Sequence, residues 1–311
     1  ENIARLFIPD DGTFAHQPNA VEVTGLRMGI GLFLGPVLGV DVANISRRAL
    51  AVGGGACKGV WGIEGITASG DISTDSYDSQ EGIYGSAGVY QNGDICSCRD
   101  VIIEGSVMIR GDVVNGEGYG TTIYGNAYEI WGMQGELPCE KFAAPSFDVG
   151  EAAVNNDNWN IPLTARGRDP FDGHPWDLIV TANDSLTLPP GRYYFTSALV
   201  DGQGTIAVTG PTEIYISGPA TFTGGGFINT SQNPQDLTIY SSGPSLTVTG
   251  DSGFVGSVIA PDTDVFLPGG SEYFGMIIGR TVDTEGNVII HVDESAVREF
   301  IGNANRAVLV E

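Results

Sequence analysis

The chain has 311 residues, of which 38 are acidic and 14 basic, for a net charge of −24. Such a surface repels phosphate backbones and anionic bilayers, which argues against nucleic acid and acidic lipid as partners. Apolar residues reach 41% and Gly fills 46 positions with no G-X-Y period, which excludes disorder and collagen.

Gly-rich text with short apolar runs points to an all-β protein. No run of about 18 apolar residues occurs, so no membrane-spanning helix is expected. The most apolar stretch, Met28–Val42, is interrupted by Gly and Pro and reads as buried strands. No basic, apolar leader opens the chain, and Glu1 reads as a processed or trimmed start.

Residues 1–52 form a strand-rich N-terminal region. Val21-Glu22-Val23-Thr24 alternates like a strand, and Asp41 to Val52 reads as another. Gly53-Gly54-Gly55 then marks a joint at 53–56. From 57 to 136 the text is short apolar triplets punctuated by Gly and Asp. Ile102-Ile103-Glu104-Gly105, Val107-Met108-Ile109-Arg110-Gly111 and Thr122-Ile123-Tyr124-Gly125 are examples. Strands this short, with no helical pattern between them, fit stacked coils better than hairpins.

Residues 137–183 carry Pro138, Pro145, Pro162, Pro170 and Pro175 and read as an irregular packed segment, pinned by Trp159, Phe171 and Trp176. From 185 to 292 the repeat returns. Gly256-Ser257-Val258-Ile259 and Gly275-Met276-Ile277-Ile278 begin 19 residues apart, as do Leu246-Thr247-Val248 and Val265-Phe266-Leu267. Phe254 and Phe274 are offset by 20, and Ile214-Tyr215-Ile216 lies 24 residues before Thr238-Ile239-Tyr240. The expected fold is therefore one continuous right-handed parallel β-helix over 57–296, with 137–183 on its flank. Asp293 to Gly302 reads as a short helix that caps an open end, and 297–311 as its end and an apolar tail.

Four cysteines, Cys57, Cys96, Cys98 and Cys139, suit an oxidising compartment, and at least one disulfide is expected among three possible connectivities. Cys96-Ser97-Cys98 is too tightly spaced for a zinc knuckle, and His16, His174 and His291 are scattered. Asp75, Asp78 and Glu81 are the candidate calcium ligands, weighed against an Asp/Ser turn bonding its own backbone. No other cofactor is indicated. A polysaccharide lyase needs basic residues beside acidic ligands, and only Arg99, Arg110 and Arg280 qualify. No G-x-S-x-G elbow, P-loop or H-E-x-x-H motif occurs. The chain reads as a non-enzyme.

Asp75-Ser76-Tyr77-Asp78-Ser79, Asn92-Gly93-Asp94-Ile95 and Gly111-Asp112-Val113 resemble the start of the β-helical domain of bacterial pilus-assembly and surface proteins. Leu188-Pro189-Pro190-Gly191-Arg192-Tyr193-Tyr194-Phe195, Phe254 to Pro261, Phe274 to Gly279 and His291-Val292-Asp293-Glu294 continue that resemblance to PilX-like and Tad-type proteins. Upstream, Val21-Glu22-Val23 and Gly39 to Val52 resemble the periplasmic part of TadE/TadG-like proteins, without their pilin-like helix. The resemblance implies a surface or pilus-linked role and carries over no catalytic residue.

The expected function is a structural, extracellular cell-surface protein. It self-assembles into a pilus-like filament or coat through Val21, Val23, Ala307, Val308, Leu309 and Val310. The alternative is a monomeric or tip-located adhesin for a surface glycan or protein, and a polysaccharide-degrading enzyme comes third.

Overall fold

The computed structural model divides the chain into two compact units, Glu1–Ala56 with Asn303–Glu311, and Cys57–Gly302. It describes residues 2–7, 20–31, 42–53, 57–301 and 307–310, apart from 87, 126–127, 138, 140–144, 172–175 and 250–252. Gly54 and Gly55 of the joint, residues 32–41 of the apolar stretch, His16, His174, Pro138 and Pro175 lie outside the described residues.

In the first unit the backbone forms β1 (Asn2–Phe7), β2 (Ala20–Gly31) and β3 (Val42–Gly53), and the chain's last strand, β28 (Ala307–Val310), joins them. The sheet order is β1-β2-β3-β28, and every pairing is antiparallel. The C-terminal tail is therefore paired within its own chain, with Val308 opposite Val52 and Val310 opposite Leu50.

The second unit begins with β4 (Val60–Ser69), β5 (Ile72–Tyr77), β6 (Ile95–Ser97), β7 (Val101–Glu104), β8 (Val107–Ile109), β9 (Val113–Gly116), β10 (Thr121–Ile123), β11 (Tyr128–Ile130) and β12 (Gln134–Leu137). A connection carrying α1 (Val149–Val154) follows. The second run holds β13 (Asp177–Val180), β14 (Ser185–Leu188), β15 (Gly191–Phe195), β16 (Ser197–Val200), β17 (Thr205–Val208), β18 (Thr212–Ile216), β19 (Ala220–Phe222) and β20 (Gly226–Asn229). After these come β21 (Leu237–Ser241), β22 (Ser245–Val248), β23 (Phe254–Val255), β24 (Ser257–Pro268), β25 (Ser271–Gly275), β26 (Ile277–Glu285), β27 (Val288–Asp293) and the helix α2 (Glu294–Ile301). This unit is mostly β, and all its named strand pairs are parallel.

Pairing runs between successive repeats. Val258 sits opposite Ile277, and Leu246 opposite Val265, at the 19-residue spacing read from sequence. Two expected registers shift by one. Phe254 faces Tyr273 rather than Phe274, and Ile214 faces Ile239 rather than Thr238. One inward row is apolar through eight strands: Tyr193, Ile214, Ile239, Val258, Ile277, Val60, Ile95 and Val113, each at most 2% exposed. Fully burying one such side chain stabilises by about 1.5–3 kcal/mol, so stacking like on like builds a core from short strands.

Space order is not chain order. Strands β4 and β5 pair with β26 and β27, so the first repeat of the unit lies against the last. From that seam β6 to β12 extend one way, while β13 is the outermost strand on the other side. The connection over 138–176 therefore joins opposite ends of the stack. Part of it covers the edge of β15, where Asn158 Nδ2 donates to the Tyr194 carbonyl (2.6 Å) and the Tyr194 N–H donates to Asn158 Oδ1 (2.9 Å). An amide side chain with both donor and acceptor substitutes there for a missing strand.

Phe171 and Trp176 pack edge to face, and Phe171 reaches Phe195, but Trp159 is 80% exposed and pins nothing. Helix α1 supplies that anchor through Ala152, buried with Tyr194 and Tyr215. Helix α2 follows β27 at the seam, so it caps no open end.

Glycine is required where repeats stack at one corner. Gly70 has φ 141° and Gly105 φ 130°. A Cβ on Gly105 would strike the carbonyl of Gly70, and one on Gly70 that of Gly286.

Candidate functional site

Strands β5 and β27 alternate as strands do, with Ile72, Thr74 and Ser76 inward on one and Val288, Ile290 and Val292 inward on the other. Asp75 and His291 therefore point away from the core, as register partners. They are nevertheless buried, at 7% and 6% exposure, because the loop after β5 folds back over them. His291 Nδ1 lies 2.6 Å from Asp75 Oδ1, and the Tyr84 hydroxyl donates to Asp75 Oδ2 at 2.8 Å. Arg110 stands 3.8 Å from the same carboxylate and lies over the Trp131 ring. The Tyr84 ring covers the imidazole at 3.8 Å between centroids, and Phe274 follows at 4.7 Å. Burial and the hydrogen bond to Asp75 push the Tyr84 phenol up from its ordinary value.

Beside this cluster, hydrogen bonds tie the loop to α2. Asp293 accepts from the Ser295 N–H at the start of α2 and from the Ser79 N–H and hydroxyl. Glu294 accepts from Ser76 and Asn92, and Arg298 donates to Asp78 at 2.6 Å. Burial first, then the nearby Asp293 charge, raises the Tyr77 phenol. Residues more than 200 positions apart are thus clamped across the seam.

The candidate calcium residues fall in this region, each with a protein donor of its own. Asp75 takes His291 and Tyr84, Asp78 takes Arg298, and Glu81 takes the Tyr90 hydroxyl at 2.6 Å. Among the described residues no group of three or more His, Cys, Asp or Glu side chains is placed to hold a metal ion. The basic residues weighed for lyase chemistry are also engaged. Arg280 forks onto Asp264 at 2.9 and 2.6 Å, holding that carboxyl below its usual range, and Arg99 stands 3.7 Å from Glu64.

Cys57 pairs with Cys96, and Cys98 with Cys139. Both bridges staple the run that leaves the seam through β6. Here Asp94 and Asp112 form a short ladder. Asp94 accepts the N–H groups of Lys58 and Asp112, and Asp112 accepts that of Met133. Burial, then the Asp112 charge, pushes Asp94 up to about 6.

Sequence reasoning placed His291 among the scattered histidines and in one resembling motif, but gave it no site role. Its signal was a polar residue in an otherwise apolar strand, Val288-Ile289-Ile290-His291-Val292. Tyr84 had no such signal, since its role depends on a loop fold.

No helix among the described residues is long and apolar enough to cross a membrane. A family model described as a domain of unknown function (DUF7305) matches residues 197–299, from β16 into α2. No curated protein and no solved structure matches the chain significantly.

Proposed function

We propose that this is a non-enzymatic, extracellular structural protein that assembles into a filament or coat through its terminal segments, with residues 57–296 forming a right-handed parallel β-helix. In-register parallel pairing between repeats about 19 residues apart supports the β-helix. The two disulfides fit an oxidising compartment. The resemblance to TadE/TadG-like and PilX-like proteins fits a surface role.

The observation that carries assembly is the order β1-β2-β3-β28. Its outer strands, β1 and β28, each have one edge with no strand beyond it among the described residues. Because the sheet is antiparallel throughout, β1 and β28 run in opposite directions. Translated copies then pair β1 with a neighbour's β28 antiparallel and continue the same sheet. That contact is heterologous and does not close, which is the geometry of a filament. Of the assembly residues read from sequence, Ala307–Val310 lie on an edge strand and would bridge their own β3 and a neighbour, whereas Val21 and Val23 lie on β2, between β1 and β3, and present no free edge.

Negative-stain imaging of the wild-type chain and of an Ile3→Pro/Arg5→Pro variant tests this. Prolines remove ladder donors from β1. The wild type is expected to form chains, and the variant single particles with an unchanged far-UV spectrum for the larger unit. Single wild-type particles at every concentration, or a variant that assembles equally well, would overturn the proposal.

A second reading, adhesion, is favoured by the strands at the end of the stack opposite β13. Tyr124, Tyr128 and Trp131 are 68%, 62% and 48% exposed there. Exposed aromatics of that density suit contact with a glycan or protein surface.

A further inference from the structure

A cavity of about 340 Å³ opens beside the Asp75–His291 cluster, on the outward side of β25 and β23. Tyr77, Tyr84, Phe227 and Phe274 line it, with Gln232 and Glu272 at its polar side. The volume falls within the range of small-molecule sites, which run from about 300 Å³. Its walls are held in place. The Tyr84 hydroxyl is bonded to Asp75, and its ring meets Tyr77 at 5.4 Å and Phe274 at 5.6 Å, both edge to face. A wall locked in that way loses little entropy when a ligand arrives.

Charge decides what the cavity takes. Glu272 is its one charged lining residue, exposed and without a cationic partner among the described residues. The net charge of −24 repels anionic ligands from the surroundings. At the rim, Gln232 takes the left-handed backbone conformation, φ 57°, which a side chain adopts at some cost.

We propose that this cavity binds a small organic cation bearing an alkylammonium head. Glu272 supplies the counter-charge, Gln232 a hydrogen-bond acceptor, and the Tyr84 and Phe274 rings a polarisable wall. An anion would meet repulsion at Glu272, and a neutral sugar would leave that charge uncompensated. The assignment is independent of how copies of the chain assemble.

Calorimetric titration of the full chain tests it with three probes: choline, Nα-acetyl-lysine methyl ester and methyl α-glucoside. At least one ammonium probe should bind, and more tightly than the glucoside. Choline binding marks a quaternary site, and binding of the lysine derivative marks a primary-amine site. Glu272→Gln should weaken that binding at least tenfold. Gln232→Ala, which removes a neutral group from the rim, should weaken it less. Glu272 and Gln232 are both exposed, so neither change threatens the fold. The proposal is overturned if neither ammonium probe binds, if Glu272→Gln binds as tightly as wild type, or if the glucoside binds equally well.

Discussion

Asp75 and His291, 216 residues apart in the chain, meet as register partners on adjacent parallel strands, with His291 Nδ1 2.6 Å from Asp75 Oδ1. The pair sits on the seam where the first repeat of the larger unit pairs with its last, and the Tyr84 hydroxyl completes it. Removing one partner of a buried polar pair strands the other without water. His291→Ala is expected to cost about 2–4 kcal/mol, and Tyr84→Phe about 1–2 kcal/mol. The double variant should cost less than the sum, because both bonds end on one carboxylate. Urea midpoints of the three variants check this, and strict additivity would show that the cluster does not act as a unit.

The seam makes a second prediction. Arg166 and Arg168 lie in an exposed turn of the connection between opposite ends of the stack. Brief trypsin treatment should cut there first. The two fragments should then stay together on size exclusion, since β4 and β5 pair with β26 and β27 along their lengths. Fragments that separate without denaturant would mean that the seam does not hold.

Loss of the bridge between Cys98 and Cys139, which closes a loop with a sequence separation of 41, should destabilise the unit. The chain-entropy relation gives roughly 4 kcal/mol for a loop of that size. A Cys98→Ala/Cys139→Ala variant compared with wild type in urea measures it. Alkylation and mass measurement should find no free thiol before reduction and four after, since the bridges use all four cysteines.

Much of the repeat was legible because Val258 and Ile277 are separated by loops of constant length, and the apolar pattern returns at the same phase. The order of repeats in space was not. Val60-Trp61 and Ile277-Ile278 carry the same apolar pattern as Val258-Ile259 and Ile95-Cys96, so nothing in their side chains names the partner. The partners of the acidic residues were not legible either: Asp78 meets Arg298 of α2, while Asp75 and Glu81 meet Tyr84 and Tyr90 from the loop that follows β5. Trp159 shows the converse, since a large aromatic in a connection need not be an anchor and here stands in solvent.

The last prediction concerns pH and Asp94. Burial and the Asp112 charge raise its carboxyl from an ordinary 3.8 to about 6, so the folded chain binds that proton more tightly than the unfolded chain does. A raised folded-state value contributes stability that is fully present below 3.8 and is lost as pH rises through about 6. The separation corresponds to about 3 kcal/mol as an upper bound. From pH 7.5 to 5 this group should therefore stabilise the fold, against the trend of surface carboxylates paired with Arg, which weaken as they protonate. Asp94→Asn removes the titration while keeping an oxygen for one of the two N–H groups now bonded to Asp94. Its cost should be largest near pH 5, where wild-type Asp94 is protonated and relieved of its buried charge, and smallest near pH 7.5. Urea unfolding of both proteins at the two pH values reads the difference. An Asp94→Asn cost that is the same at both, or larger at pH 7.5, would show that Asp94 is ionised throughout that range.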